Sequence, residues 1–244
     1  MVARRSDGWD HRSVTDVLSD TLQRFVAEAP IARTPILDFV RGAATELSPG
    51  ATLLDVGAGD APYRELFSRV NYVTCDWERS NYTPDRTPDI VAPADKIPLE
   101  DESVDAILTT QVIEHVPEPW TVLAEFHRLL KPRGRLWMTA PLVWYLHEQP
   151  YDYYRYTSHG LRYLLDRARF VDIQILPLND AFSSLSQLVS HLGWMMGRQP
   201  DGFNDQRDVV AQTMKQVASL IGSFSNFDTQ WIFPTDYAVT ATAP

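Results

Sequence analysis

The sequence predicts an α/β fold, doubly wound, with a mostly parallel sheet and helices on both faces. Three observations carry it. Short apolar strands alternate with helical stretches from residue 52 to residue 176. The first strand runs straight into a turn holding Gly57 and Gly59. The second strand ends on an acid, Asp76, twenty-one positions after Asp55 at the end of the first.

The elements follow in order. Val14, Val17, Leu18, Leu22, Phe25 and Val26 fall at helical spacing and predict a helix over 13–29, which Pro30 ends. A second helix is expected over 34–47, with Pro35 in its first turn. Ser48-Pro49-Gly50 reads as a turn. Strands are expected at 52–56, 72–75, 89–92, 105–109 and 135–139, with helices at 63–67 and 120–130 between them. Lys131-Pro132-Arg133-Gly134 breaks the second of these helices. A Tyr-rich segment spans 141–156, and a helix at 158–168 and a strand at 171–176 come next. Residues 179–227 read as helical with a polar break at 199–205, and a last strand lies at 237–242. Some fifty helical residues between the final two strands are too many for a hairpin loop and read as an insertion. The division expected is a helical cap over 1–50, a core over 51–178, an insertion over 179–230 and a closing strand over 231–244.

Bulk properties limit the function classes. The chain has 244 residues, 44% hydrophobic and 22% charged, a globular composition. Its net charge is −10 and no long basic run occurs, which argues against nucleic acid as substrate. One cysteine, Cys75, allows neither an internal disulfide nor a thiolate metal cluster and suits a reducing, cytoplasmic compartment. No apolar run approaches a membrane span.

The chemistry gathers in five blocks. The sharpest is Leu53-Leu54-Asp55-Val56-Gly57-Ala58-Gly59-Asp60-Ala61-Pro62-Tyr63. Gly57 and Gly59 let the backbone turn tightly and come close to a ligand. A plain strand–helix turn would show the same pattern. Asp76 stands where a carboxylate accepts hydrogen bonds from a ribose diol. The other blocks are Ala94-Asp95-Lys96-Ile97-Pro98-Leu99, Gln111-Val112-Ile113-Glu114-His115-Val116-Pro117 and Glu125 to Gly134.

Together, in this order and spacing, the blocks resemble the class I S-adenosylmethionine (SAM)-dependent methyltransferases, in particular the small-molecule group related to the UbiE and UbiG enzymes. The resemblance covers residues 52–176, roughly half the chain. It implies a Rossmann-like, seven-stranded sheet with an antiparallel last strand. It also implies SAM as cofactor, S-adenosylhomocysteine (SAH) as product and a small-molecule acceptor, a secondary metabolite or sugar. By the same resemblance Asp55, Gly57 and Gly59 would line the methionine part of SAM. Asp76 would hold the ribose, with Trp77 beside the adenine. Asp95 would accept the adenine amino group between Lys96 and Ile97, and Gln111 would lie near the methionine end. The family's third glycine is replaced here by Ala61, and its Pro-Gly-Gly by Pro132-Arg133-Gly134.

Ligands in such sheets sit beyond the carboxyl ends of the strands, so acceptor-side groups should follow the fourth and fifth strands. His115 and His147 do, and either imidazole could serve as a general base. Each also has a bland reading, His115 as a packed helix cap and His147 as a solvated loop residue. The segment Pro150-Tyr151-Asp152-Tyr153-Tyr154-Arg155-Tyr156-Thr157 could frame an acceptor, with Tyr154 a catalytic candidate, or simply pack. His147-Glu148 lacks the second histidine of a zinc-protease helix and Pro150 breaks the helix, so no metal is expected. Trp9 or His11 could close over the opening by fold analogy alone. Phe182, Leu185, Leu188, Leu192, Trp194, Met195 and Met196 form a stripe suited to a lid, a homodimer contact or core. The competing classes are a nicotinamide-dependent oxidoreductase, a non-catalytic SAM-binding module and a SAM-binding cyclase.

Overall fold

The computed structural model describes residues 19–78, 87–197, 207–225, 227–228 and 230–244. Trp9, His11 and the first six residues of the helix expected over 13–29 lie outside them. Seven strands form one sheet: β1 (Thr52–Val56), β2 (Asn71–Asp76), β3 (Ile90–Val91), β4 (Val104–Thr110), β5 (Leu130–Pro141), β6 (Val171–Pro177) and β7 (Asp236–Thr242). Their order is β3-β2-β1-β4-β5-β7-β6. The first five pair in parallel, and β7 runs antiparallel to both neighbours. The strand order reverses at β1 and β4, which opens a crevice at their carboxyl ends. The fold class matches the expectation.

Strand periodicity places the two cores. Leu53, Ala106, Leu108 and Trp137 point to one face, under Leu22, Ile36, Leu37 and Val40 of α1 (Asp20–Glu28) and α2 (Pro30–Glu46). Leu54, Ile107, Leu136 and Met138 point to the other. There they meet Val122, Leu123 and Phe126 of α3 (Pro119–Leu129) and Leu161 and Leu165 of α4 (Ser158–Arg167). Each fully buried leucine contributes about 2 kcal/mol by leaving water.

Local chemistry sets the ends. Ser19 caps α1 by accepting from the Leu22 amide at 3.2 Å. Pro30 both stops α1 and starts α2, because its missing N–H is no loss in a first turn. Pro35 therefore lies in the second turn of α2, not the first. The expected helix after the glycine turn is a 3₁₀ turn, Arg64–Phe67.

Lys131 to Gly134 follow the end of α3 as expected and form a bulge inside β5, which begins at Leu130, five residues earlier than expected. Arg133 takes φ +66° and its N–H donates to the Ala243 carbonyl at 3.0 Å, while the Gly134 carbonyl accepts from the Ala243 amide at 2.9 Å. The helical stretch before β7 is a hairpin of α5 (Ala181–Gly197) and α6 (Arg207–Gly222). Its apolar stripe does not face inward as a unit. Leu185, Leu192, Trp194 and Met196 are exposed, whereas Ser184, Ser186 and Gln187 are buried. The reason is close helix approach. A Cβ on Gly193 would come within 2.9 Å of Met214, and the Ser186 hydroxyl donates to the Ala218 carbonyl at 2.7 Å. Small side chains win the contact and larger ones are turned out. No helix of the described residues is long and apolar enough to cross a membrane.

Candidate active site at the carboxyl edge of the sheet

The turn after β1 folds back over the end of β2. The Gly57 amide donates to the Cys75 carbonyl at 2.8 Å, and the Gly59 amide to Asp76 Oδ2 at 2.7 Å. Gly57 has φ +71°, and a Cβ there would lie 2.3 Å from Val112 Cγ2. Only glycine satisfies both limits. Gly59 has φ +52°. Ala61, where the family has a third glycine, also sits in the left-handed region at φ +51°. The backbone bend survives the substitution, at a cost of about 1 kcal/mol.

Asp76 accepts a second amide, from Trp77, at 2.8 Å on Oδ1. Both carboxylate oxygens are thus oriented by backbone at the mouth of the crevice. Asp55 is buried and accepts from the Tyr72 hydroxyl. Burial pushes its carboxyl up to about 7, opposed by that hydrogen bond and reinforced by the charge of Asp76. Trp77 meets Tyr151 edge-on, ring centroids 4.9 Å apart, so the Tyr-rich segment reaches the end of β2.

Beyond β4, Gln111 takes φ +57° and its Nε2 donates to Thr139 Oγ1 at 3.0 Å. It also hydrogen-bonds Asp236, a buried acid at the start of β7 whose carboxyl burial raises to about 6. The turn holding Asp95, Lys96 and Ile97 is split. Asp95 and Lys96 are exposed, while Ile97 is buried and its amide donates to Glu125 Oε1 at 2.8 Å. Ile97, Lys96 and Ala92 edge a shallow, open depression of about 570 Å³ that continues to Glu125 and Arg128.

His115 and His147, 32 positions apart in sequence, are brought together with ring centroids 4.6 Å apart. His115 Nδ1 lies 2.8 Å from the Tyr151 carbonyl, which makes it the protonated nitrogen. His147 Nδ1 faces the Tyr145 carbonyl at 3.2 Å and Asp152 Oδ2 at 3.3 Å. Burial, with the neighbouring His115, holds the His147 imidazole below its usual pKa. Tyr154 stands apart in its bonding: its hydroxyl donates to the Pro117 carbonyl at 2.9 Å.

Arg155 organises this side. It grips Asp152 with two hydrogen bonds, 2.6 and 2.9 Å, and donates to the Trp144 and Tyr145 carbonyls at 3.2 and 2.7 Å. Burial opposes the charge on Asp152, but Arg155 and the His147 amide overcome it and bring the carboxyl down to about 2. Sequence reading overlooked Glu114, Glu148, Asp152 and Asp236 as site residues. Asp152 and Arg155 carried a signal, an acid and a base three apart between tyrosines. Asp236 had none, because its place depends on β7 closing beside β5.

A family model described as "Methyltransferase domain" matches residues 54–138, the span from β1 through the glycine turn to β5. The match takes in about a third of the chain. An uncharacterized methyltransferase of Mycobacterium sp. (strain KMS) is 32% identical over 171 residues, covering 62% of this chain and 62% of its own. The chain spans between about two fifths and three fifths of the length of the curated relatives it matches. The likeness to solved structures is one of fold. A SAM-dependent methyltransferase structure from Archaeoglobus fulgidus superposes with TM-score 0.57 at 15% identity, covering 90% of this chain and 98% of that one. Phosphoethanolamine N-methyltransferase 2 of Haemonchus contortus, in complex with SAM, gives TM-score 0.52 at 15% identity over 81% of this chain and 50% of that one.

Proposed function

We propose that this protein is a SAM-dependent methyltransferase of a small-molecule acceptor. The observation that carries the reading is the turn at the end of β1: Gly57 bends in the left-handed region under Val112, and the Gly59 amide donates to the Asp76 carboxylate, whose other oxygen accepts from Trp77. A glycine turn that brings backbone beside an acid poised for a vicinal diol suits the ribose and amino-acid ends of an adenosyl ligand. Bound SAM would supply an electrophilic methyl on its sulfonium.

The chain's residues then bind and orient. Asp76 accepts from the ribose hydroxyls, Trp77 and Ile97 border the adenine, and Asp95 takes its amino group. Asp55 and Gln111 stand at the methionine end. The Asp55 carboxyl, raised to about 7 by burial, is about half ionised at neutral pH and ionises more easily beside a positive ligand. On the acceptor side, His147, His115 and Tyr154 are the candidate groups, and Arg155 fixes the segment that carries two of them. Orientation of the acceptor and exclusion of water supply most of the rate. The α5–α6 hairpin is the acceptor-side lid, and its exposed Leu192 and Trp194 suit a second copy of the chain. The acidic surface and buried single thiol suit a cytoplasmic enzyme acting on neither nucleic acid nor membranes.

The test is isothermal calorimetry with SAH, followed by incubation with methyl-labelled SAM and a panel of hydroxylated and aminated small molecules. One-to-one SAH binding and label transfer to a panel member are expected. Tight NADH binding with no response to SAH would replace this reading with an oxidoreductase.

A further inference from the structure

Behind the acceptor-side wall lies a cluster that methyl transfer by positioning does not use. Glu114 has no exposed surface, and neither carboxylate oxygen has a hydrogen-bond partner among the described residues. His115 Nε2 is likewise buried without a partner. Glu114 Oε1 lies 3.8 Å from that nitrogen, and Glu148 Oε1 lies 3.7 Å from it on another side. His147 completes the group: Glu114, His115 and His147 each offer one ligand atom, and these lie within 4.8 Å of one another.

The tautomers matter. Each imidazole has its Nδ1–H directed at an acceptor, the Tyr151 carbonyl for His115 and the Tyr145 carbonyl and Asp152 for His147. Each Nε2 therefore carries a lone pair. Ligand atoms of two imidazoles and a carboxylate thus lie within 4.8 Å of one another, and the Glu114 oxygens and His115 Nε2 have no hydrogen-bond partner among the described residues. A proton on Glu114 cannot bridge 3.8 Å, which exceeds hydrogen-bond reach. A cation can. Ligand atoms around a tetrahedral ion with bonds near 2.0–2.1 Å stand roughly 3.4 Å apart, so the Glu114–His115 pair closes by about 0.4 Å and the widest pair by up to about 1.4 Å. The outer partners are also those of metal-bound histidines, a backbone carbonyl on one ring and a carboxylate on the other.

We propose that Glu114, His115 and His147 bind a divalent first-row transition cation, with Glu148 as a fourth oxygen donor or a neighbour to bound water. Imidazole with carboxylate favours ions of the zinc, cobalt, nickel and iron type over magnesium. His147 keeps 19% of its side chain accessible, so an ion can reach the group from solvent. The site stands on this geometry and not on the methyl-transfer reading. It also replaces the sequence expectation of no metal: the second histidine comes from the turn after β4, not from the same helix.

The experiment uses the untagged full chain after dialysis against chelator. Zn²⁺ is titrated by calorimetry and Co²⁺ by visible absorption. One equivalent per chain, with a visible Co²⁺ spectrum and a Zn²⁺-dependent rise in melting temperature, is expected. Glu114→Gln, which keeps the side chain's size, should weaken Zn²⁺ at least tenfold and abolish the melting shift. His147→Ala should remove stoichiometric binding. His159→Ala, at an exposed histidine elsewhere, should leave it unchanged. SAH binding by the metal-free wild type, run in parallel, separates failure of this site from failure of the cofactor reading. No saturable Zn²⁺ or Co²⁺ binding by the wild type, or undiminished binding by both Glu114→Gln and His147→Ala, overturns the proposal.

Discussion

The two sides of the crevice are built by different means. The cofactor side, from β1 to the end of β2, is made of backbone: a glycine turn whose amides bond to Cys75 and Asp76. The acceptor side, from His115 through Arg155, is made of side chains that hold loops together. Arg155 alone ties Asp152, Trp144 and Tyr145. A backbone-built site fixes one ligand shape rigidly. A site built from side-chain clamps on loops can change its acceptor by substitution without disturbing the sheet. The contrast predicts that damage on one side should leave the other largely intact.

The largest effect is expected from Arg155→Ala. It strands the Asp152 carboxylate, whose side chain is only 2% exposed, without its partner. Loss of such a pair costs roughly 3–5 kcal/mol. The denaturation midpoint should fall accordingly, while SAH affinity changes by less than about threefold at temperatures where the variant is folded. Equal loss of SAH binding would erase the distinction between the sides.

Gly57→Ala comes next. The left-handed backbone and the overlap with Val112 together cost roughly 2–4 kcal/mol. Here calorimetry should show SAH binding lost, with the Arg155 clamp intact.

Asp55→Asn sharpens the comparison through pH. The folded carboxyl titrates at about 7, above its ordinary 3.8, so the folded state holds the proton more tightly than the unfolded one. Stability is full below about pH 4 and is lost as pH rises through 7. Against wild type, the variant should gain up to about 4 kcal/mol at pH 8 and nothing at pH 4. Its SAH affinity should fall, because no anion is left to meet the ligand's ammonium. Thermal melts at the two pH values decide it. Ala61→Gly is the smallest change: relief of the left-handed alanine should raise stability by about 1 kcal/mol, read from the denaturant midpoint.

The same contrast explains what the sequence revealed. All seven strands were legible because period-two apolar patterning and turn residues are local signals. Gly57, Gly59 and Asp76 were legible for the same reason: their spacing along the chain sets their spacing in space. The pairing of His115 with His147 was not, since it depends on where the Tyr-rich segment returns beneath β4. Nor was the inward face of α5, where close packing against Met214 and Ala218 favoured serine and glycine over leucine. Local hydropathy cannot report a neighbouring helix that approaches so closely.

Calorimetry of SAH binding to wild type and Asp76→Ala, side by side, tests the central claim most directly. The account expects one site on the wild type and at least a tenfold weaker one on the variant, since a hydrogen bond to a charged acceptor contributes about 1.5–3 kcal/mol. Equal affinities, or no heat with either protein, would contradict it.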